Sequence, residues 1–285
     1  MASMRDIKRR RDSIQSTEQI TKAMKLVSTV KLQKSKGKAE SSKPYFNLMY
    51  ETISSILKKS GNLDHKYLKP GASEKKAVVA ITSNRGLAGG YNNNIVKLIN
   101  GELPAEDTLV YAIGRKGRDG LARKGFQIKA DYSEVINEPL YRDAADVTLE
   151  LLDGFTRGEI GEIYLAYTAF KNTVTQIPRL IKLLPVEMEA GGDEDKGKAH
   201  ALMTYEPDEE EVLDSIVPKY MSSLIYGALL EAVASENGAR MTAMDNATSN
   251  AEEMIEALSL QYNRARQGAI TQELTEIVAG ANAIS

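Results

Sequence analysis

PKYMSSLIYGALLEAVASENGARMTAMDNATSNAEEMIEALSLQYNRARQGAITQELTEIVAG, residues 218–280, opens on a proline, and no other follows before Ser285. A stretch that long without a breaker makes a helix far longer than a compact domain of this size needs, which signals a coiled coil. Pro207 and Asp208 ahead of Glu209, Glu210 and Glu211 place a cap and negative charge where the helix dipole favours them. The spacing predicts helix from Asp208 to Val278, about 105 Å at 1.5 Å per residue.

The other end of the chain reads the same way. Ile7, Ile14, Ile20, Met24, Val27 and Val30 recur at helical spacing, Ser3 with Asp6 suits a cap, and the first proline is Pro44. That proline bends the helix or ends it, after which FNLMYETISSILKKSG keeps helical spacing to Gly61. The large apolar residues are separated by Ala, Ser, Thr and Gln, a thin stripe suited to one partner helix. Antiparallel pairing of the two terminal helices buries both stripes. The C-terminal helix is longer than the straight part of the N-terminal one by about 45 Å, so its last turns are expected to project alone.

Between the ends the pattern alternates. Apolar, β-branched runs at 77–82 (AVVAIT), 108–114 (TLVYAIG), 162–170 (EIYLAYTAF) and 174–186 (VTQIPRLIKLLPV) are separated by helical stretches such as NIVKLING and YRDAADVTLELLDGF. Such alternation predicts βαβ units and a mostly parallel sheet. The expected fold is α/β: a long antiparallel coiled coil of the N- and C-terminal helices with an inserted Rossmann-like α/β domain. Its parts are an N-terminal coiled-coil helix at 1–60, the α/β domain at 61–207 and a C-terminal coiled-coil helix at 208–285.

Composition removes most chemistry. The chain has no cysteine, and His65 and His200 are its only histidines, so thiolate sites are excluded and metal or acid–base sites are poorly supplied. Both histidines read as loop residues whose substitution is nearly silent. No window is long and apolar enough to cross a membrane, and MASMRDIKRRRDS lacks the apolar segment of a secretory signal; the chain is expected to stay in the cytosol. The acidic loop EMEAGGDEDKGKAH (187–200) reads as a linker, since Asp193, Glu194 and Asp195 lack the spaced oxygen ligands of a calcium loop. Charge is uneven: residues 1–38 hold eleven Lys or Arg against Asp6, Asp12 and Glu18. Either that is a solvated helix face or it meets an anionic partner.

One motif invites a nucleotide. TSNRGLAGGYNNN (82–94) breaks an apolar strand with glycines, as phosphate-binding turns do. It lacks both the Gly-x-Gly-x-x-Gly spacing of a dinucleotide site and the glycine-lysine of a P-loop. Gly86, Gly89 and Gly90 suffice as a turn, and no cofactor is expected.

The ending QYNRARQGAITQELTEIVAGANAIS resembles the C-terminal motif of the gamma subunits of F-type ATP synthases: Ile-Thr-x-Glu, an acid, then Gly-Ala-x and a small residue, here Ile270, Thr271, Glu273, Glu276, Gly280, Ala281 and Ala283. ITKAMKLVSTVKL (20–32) is similar to that family's first helix and SNRGLAGG (83–90) to its first strand-to-helix turn, where the family more often shows Asp, Cys and Leu or Phe at Asn84, Ala88 and Tyr91. The resemblance covers the whole chain. It implies a central rotor shaft of a proton- or sodium-translocating enzyme, turning inside the hexamer of alpha and beta subunits and joined to the epsilon subunit and the membrane c-ring. It implies no active site here, since nucleotides sit on the alpha and beta subunits, and peripheral attachment at the cytoplasmic face of a bacterial membrane through the complex alone. Arg266 and Gln267, with Thr271 and Glu273 further on, match contacts to catch loops; Met24 and Arg240 match positions near the beta levers. Photosynthetic members carry an inserted cysteine pair, which a chain without cysteine cannot have.

Two other classes compete. A nucleic-acid-binding coiled coil accounts for the basic start, but 6% aromatic content without tryptophan argues against it, and no nucleic acid is expected. A small-molecule enzyme accounts for the glycine turn but not for two long terminal helices. A DNA mobility shift and a turnover assay on the isolated chain separate these readings.

Overall fold

The computed structural model describes residues 3–59, 65–186 and 209–284. The expected boundaries at 60/61 and 207/208, the cap at Pro207 and Asp208, the loop 187–200 with Asp193, Glu194 and Asp195, and His200 lie outside those residues. The elements run α1 (Met4–Lys59), β1 (Lys76–Ile81), α2 (Tyr91–Glu102), β2 (Thr108–Ile113), α3 (Arg115–Ala122), β3 (Gln127–Asp131), α4 (Tyr141–Thr156), β4 (Glu162–Phe170), β5 (Gln176–Leu184) and α5 (Glu209–Ile284). They form two compact units, Met1–Thr29 with Arg240–Ser285, and Val30–Ala239.

Both terminal helices are longer than their prolines suggest. Helix α1 starts on the expected cap, with the Ser3 hydroxyl accepting the Asp6 N–H at 3.3 Å and donating to its carboxylate at 2.9 Å. It then runs through Pro44 rather than ending there, and α5 runs through Pro218. Each proline removes one backbone donor, a loss that the helical turns on either side absorb.

In the larger unit the sheet order is β3-β2-β1-β4-β5, with β1 to β4 parallel and β5 antiparallel. Alternation along the strands explains the two cores. Ala77, Val79 and Ile81 of β1, with Leu109, Tyr111 and Ile113 of β2, face one cluster with α4 and α5; Val78, Ala80, Val110 and Ala112 face the other with α2 and α3. Strands buried on both faces read as unbroken apolar runs. β5 reverses direction because only a short turn separates it from β4, the Asn172 side chain accepting the N–H groups of Val174 and Thr175. Glu162 ties that edge strand to the sheet centre, pairing with Lys182 of β5 at 2.8 Å and Lys76 of β1 at 3.4 Å. Burial pushes the Glu162 carboxyl up, but hydrogen bonds from Lys182 and Tyr164 outweigh it and hold the group below its usual range.

Helix α5 belongs first to this unit. Leu213, Val217, Tyr220, Met221, Ile225, Ala228, Leu229 and Ala232 join the α4-side cluster, and residues 220–238 are covered almost all round, unlike a coiled-coil helix with its single stripe.

In the smaller unit the helices pair antiparallel, as expected. Thr21 meets Thr248 at 2.8 Å, Lys25 meets Asp245 at 2.6 Å, and Arg11 lies over the Tyr262 ring at 5.7 Å. The α1 stripe is only partly the expected one: Ile7, Ile14 and Met24 are covered. Covered positions up to Thr29 are Met4, Ile7, Arg11, Ile14, Glu18, Thr21, Met24, Lys25, Ser28 and Thr29, most of them spaced alternately three and four, whereas Ile20, Val27 and Val30 are 58%, 56% and 66% exposed. A seam between two helices follows a seven-residue repeat, and a stripe chosen by apolar character alone drifts off it. The same repeat in α5 selects Met244, Thr248, Ala251, Ile255, Leu258, Tyr262, Ala265 and Ala269.

This assignment predicts a contrast. Leu258→Ala should lower the stability of the full chain by about 2 kcal/mol, whereas Val27→Ala should stay within about 0.5 kcal/mol of wild type. Urea unfolding of both variants measures it, and the reverse order would restore the apolar stripe as the seam.

Candidate functional site

The glycine turn after β1 holds itself shut. Its first three residues supply acceptors to the open end of α3: Arg115 N–H donates to Asn84 Oδ1 at 3.0 Å, Lys116 N–H to the Ser83 carbonyl at 3.1 Å, and Gly117 N–H to Thr82 Oγ1 at 2.8 Å. These are the amides that would cradle a phosphate at that helix start. Ser83 and Asn92 bond each other, and Ser83 also reaches the Arg85 carbonyl at 2.6 Å. Gly114 sits at φ 113°, where an added Cβ would lie 2.2 Å from the Thr82 carbonyl oxygen. The expected structural role of this turn thus has a geometry: the two strand-to-helix turns interlock where a ligand would enter.

Two of the three residues at which this turn departs from the resembled family, Asn84 and Tyr91, make side-chain hydrogen bonds of their own. Asn84 donates to the Ser133 carbonyl at 2.8 Å while accepting from Arg115, a double role no carboxylate fills. The Tyr91 hydroxyl donates to the Ala232 carbonyl of α5 at 3.1 Å, joining the start of α2 to the long helix.

Burial pushes the Tyr111 phenol up to about 12, with Glu150, Glu159 and Asp153 adding to it, and burial with a hydrogen bond to Glu150 raises Tyr132 further. Phenols moved away from neutrality serve as anchors rather than bases. Among the described residues no cluster of His, Cys, Asp or Glu suits a metal. His65 lies in a loop, as expected, but is buried there. It is 2% exposed, its Nδ1 accepts the Tyr67 N–H at 3.3 Å, and its Nε2 lies 3.3 Å from Asp214 on α5. Nothing in the spacing of a lone histidine after an apolar helix signals that role.

The smaller unit presents the remaining candidates. Arg266, Gln267, Thr271 and Glu273 are all exposed on α5, and every described residue from 270 to 282 is exposed as well. The last turns project as expected, and a Cβ placed on Gly268 or Gly280 would meet nothing within 4 Å. Helical spacing sets Arg266, Ile270, Glu273 and Ile277 in one row and Gln267, Thr271, Leu274 and Val278 in the next. Ile270, Leu274, Ile277 and Val278 are 49%, 59%, 67% and 57% exposed. The Thr271 hydroxyl donates to the Gln267 carbonyl of its own helix at 2.9 Å. Met24 and Arg240 are half-buried, and Arg240 lies 26 residues before Arg266, about 39 Å along the helix, well away from the exposed end.

A family model described as ATP synthase matches residues 3–284. An ATP synthase gamma chain from Lachnoclostridium phytofermentans is 64% identical over the full length of both chains. A sodium ion specific gamma chain from Acetobacterium woodii is 43% identical over 99% of each. Among solved structures, a chain of the central stalk and c-ring of Tetrahymena thermophila mitochondrial ATP synthase matches at 25% identity and TM-score 0.58, covering 80% of this chain and 99% of that one. A chain of the Euglena gracilis mitochondrial enzyme shares the fold at TM-score 0.68 and 17% identity, over 99% and 94%.

Two outcomes follow from the geometry. Gly114→Ala should cost at least about 3 kcal/mol, because both φ and the Thr82 carbonyl oppose a side chain, whereas Gly89→Ala, at φ 56° in open space, should cost about 1–2 kcal/mol. His65→Ala leaves the Tyr67 N–H without its acceptor and opens a hole, a loss of about 2–4 kcal/mol. Chemical unfolding of each variant checks these figures, and a silent His65→Ala would return that residue to the surface.

Proposed function

The chain belongs to the family of ATP synthase gamma chains, and on that premise we infer that it is the central rotor shaft of such an enzyme, a non-catalytic subunit that couples rotation at a membrane ring to ATP synthesis or hydrolysis on other subunits. The observation that carries this reading is the bare end of α5. A helix that leaves its partner and shows four large apolar side chains to solvent needs an enclosing surface. A hexamer of alpha and beta subunits supplies such a sleeve. The larger unit offers the epsilon subunit and the c-ring a rigid sheet-backed body, and its interlocked turns leave it no nucleotide of its own.

Contacts are assigned on the same basis. Arg266 and Gln267, with Thr271 and Glu273 one to two turns on, face catch loops of the catalytic subunits. Met24 and Arg240 sit at the level of the beta levers, and the basic first segment of α1 faces their acidic side chains, which favours encounter and orientation more than raw affinity. The shaft works at the cytoplasmic face of a bacterial membrane, held there through the complex. Either a proton or a sodium ion suits this chain as the coupling ion.

Co-purification tests the reading: the chain should come out with two larger subunits in threefold excess. In the reconstituted complex, Arg266→Ala with Gln267→Ala removes donors worth about 1.5–3 kcal/mol each at the rotor angle where they engage, so hydrolysis should fall about tenfold or more with assembly intact. An unaffected double variant would mean that the shaft turns through packing alone.

A further inference from the structure

The hairpin that joins β4 to β5 carries an apolar residue where turn chemistry favours polar ones. Residues 171–176 read KNTVTQ, and Val174 among them is 77% exposed, more than any other large apolar side chain of the described residues. Ile177, at the start of β5, is 38% exposed. Lys171 is exposed on the same tip, and 170–178 holds no acidic residue, so the tip is apolar and cationic together.

The tip is stiff. Asn172 Oδ1 accepts the N–H groups of Val174 at 3.0 Å and Thr175 at 2.6 Å, the Asn172 N–H donates to the Thr175 carbonyl at 3.2 Å, and Gln176 Nε2 donates to the Thr173 carbonyl at 2.8 Å. Helix α5 backs it: a Cβ placed on Gly238 would lie 3.5 Å from Gln176 Nε2 and from the Phe170 ring, and 3.6 Å from the Thr173 carbonyl oxygen. Three residues earlier the Ser235 hydroxyl donates to the Thr168 carbonyl at 2.9 Å. Val174 therefore turns about one side-chain bond on a backbone already fixed, and a surface that covers it orders little that is not ordered already. Its place on the helix matters too. Arg240, assigned above to the level of the beta levers, follows Gly238 by two residues, about 3 Å of rise.

We propose that the β4–β5 hairpin tip is a docking stud for the acidic lever of a catalytic subunit, Val174 seating on apolar side chains of the lever and Lys171 facing its carboxylates. The proposal rests on the rotor reading and adds to the contacts of the two long helices one made by the α/β body. A lone exposed valine is ordinary on a protein surface. This one is held rigid, sits with a cation, and is braced on α5 just before the residue that reaches the lever, and those three features together select an acidic, partly apolar partner.

The chain has no cysteine, so a single introduced thiol is its sole attachment point for a short photoreactive label. Val174→Cys, labelled and assembled into the complex, should on illumination shift this chain's band to the summed mass of this chain and a beta subunit. Thr175→Cys on the same tip takes its place if the first variant does not assemble. Adding Lys171→Glu should lower the yield of that adduct, and an unchanged yield would overturn the choice of an acidic partner. The same label at Thr271→Cys, on the bare end of α5, reports whether the shaft is enclosed at all. An adduct from Thr271→Cys with none from the hairpin tip, or a tip adduct with any subunit other than beta, overturns the stud. No adduct with alpha or beta subunits from either position overturns the rotor reading instead.

Discussion

An α-helix closes its own backbone hydrogen bonds, so its main chain can leave the protein interior without stranding donors or acceptors. Helix α5 uses that property over 76 residues and crosses three environments without a break. Around 220–238 it is a core element covered on nearly every side, from 244 to 269 it shows a partner one narrow seam, and from 270 to 282 it stands bare. No strand could do this, because a strand's backbone needs a neighbour at every step. The division of the chain into two units follows from which stretch of this rod each packs against.

The α/β body anchors the rod. Its larger core cluster mixes sheet residues such as Val79 and Tyr111 with α5 residues such as Ile225 and Leu229, so sheet and helix share one core. The Tyr91 hydroxyl on the Ala232 carbonyl and the Ser235 hydroxyl on the Thr168 carbonyl add fixed points along the same helix. The two strand-to-helix turns interlock through Thr82, Gly114 and Gly117. The amides that would grip a phosphate grip the neighbouring turn.

The architecture is legible in residues 218–285 and in the alternation of AVVAIT, TLVYAIG and EIYLAYTAF, because long breaker-free helices and doubly buried strands leave strong patterns. Weak patterns escape for physical reasons. In α3 only Gly117 and Leu121 are buried, and β3 is an edge strand whose five residues alternate between exposed and half-covered, so neither carries an apolar run. Apolar character finds part of the α1 seam, Ile7, Ile14 and Met24, and misses the rest because Glu18, Thr21, Lys25 and Ser28 fill it while Ile20 and Val27 are exposed, which only the seven-residue spacing reveals. His65 is invisible in the sequence because its importance comes from Asp214, nearly 150 residues on. Arg266, Gln267, Thr271 and Glu273, the residues proposed as contacts, emerge only through the motif they resemble, since exposed side chains on a bare helix carry no periodic signal.

The bare end of α5 bears on how a cell must make this protein. Apolar rows that remain wet until other chains enclose them are adhesive, so each unassembled copy is a seed for clumping and a target for quality-control proteases. A shaft made in excess of the chains that enclose it would leave those rows open to solvent.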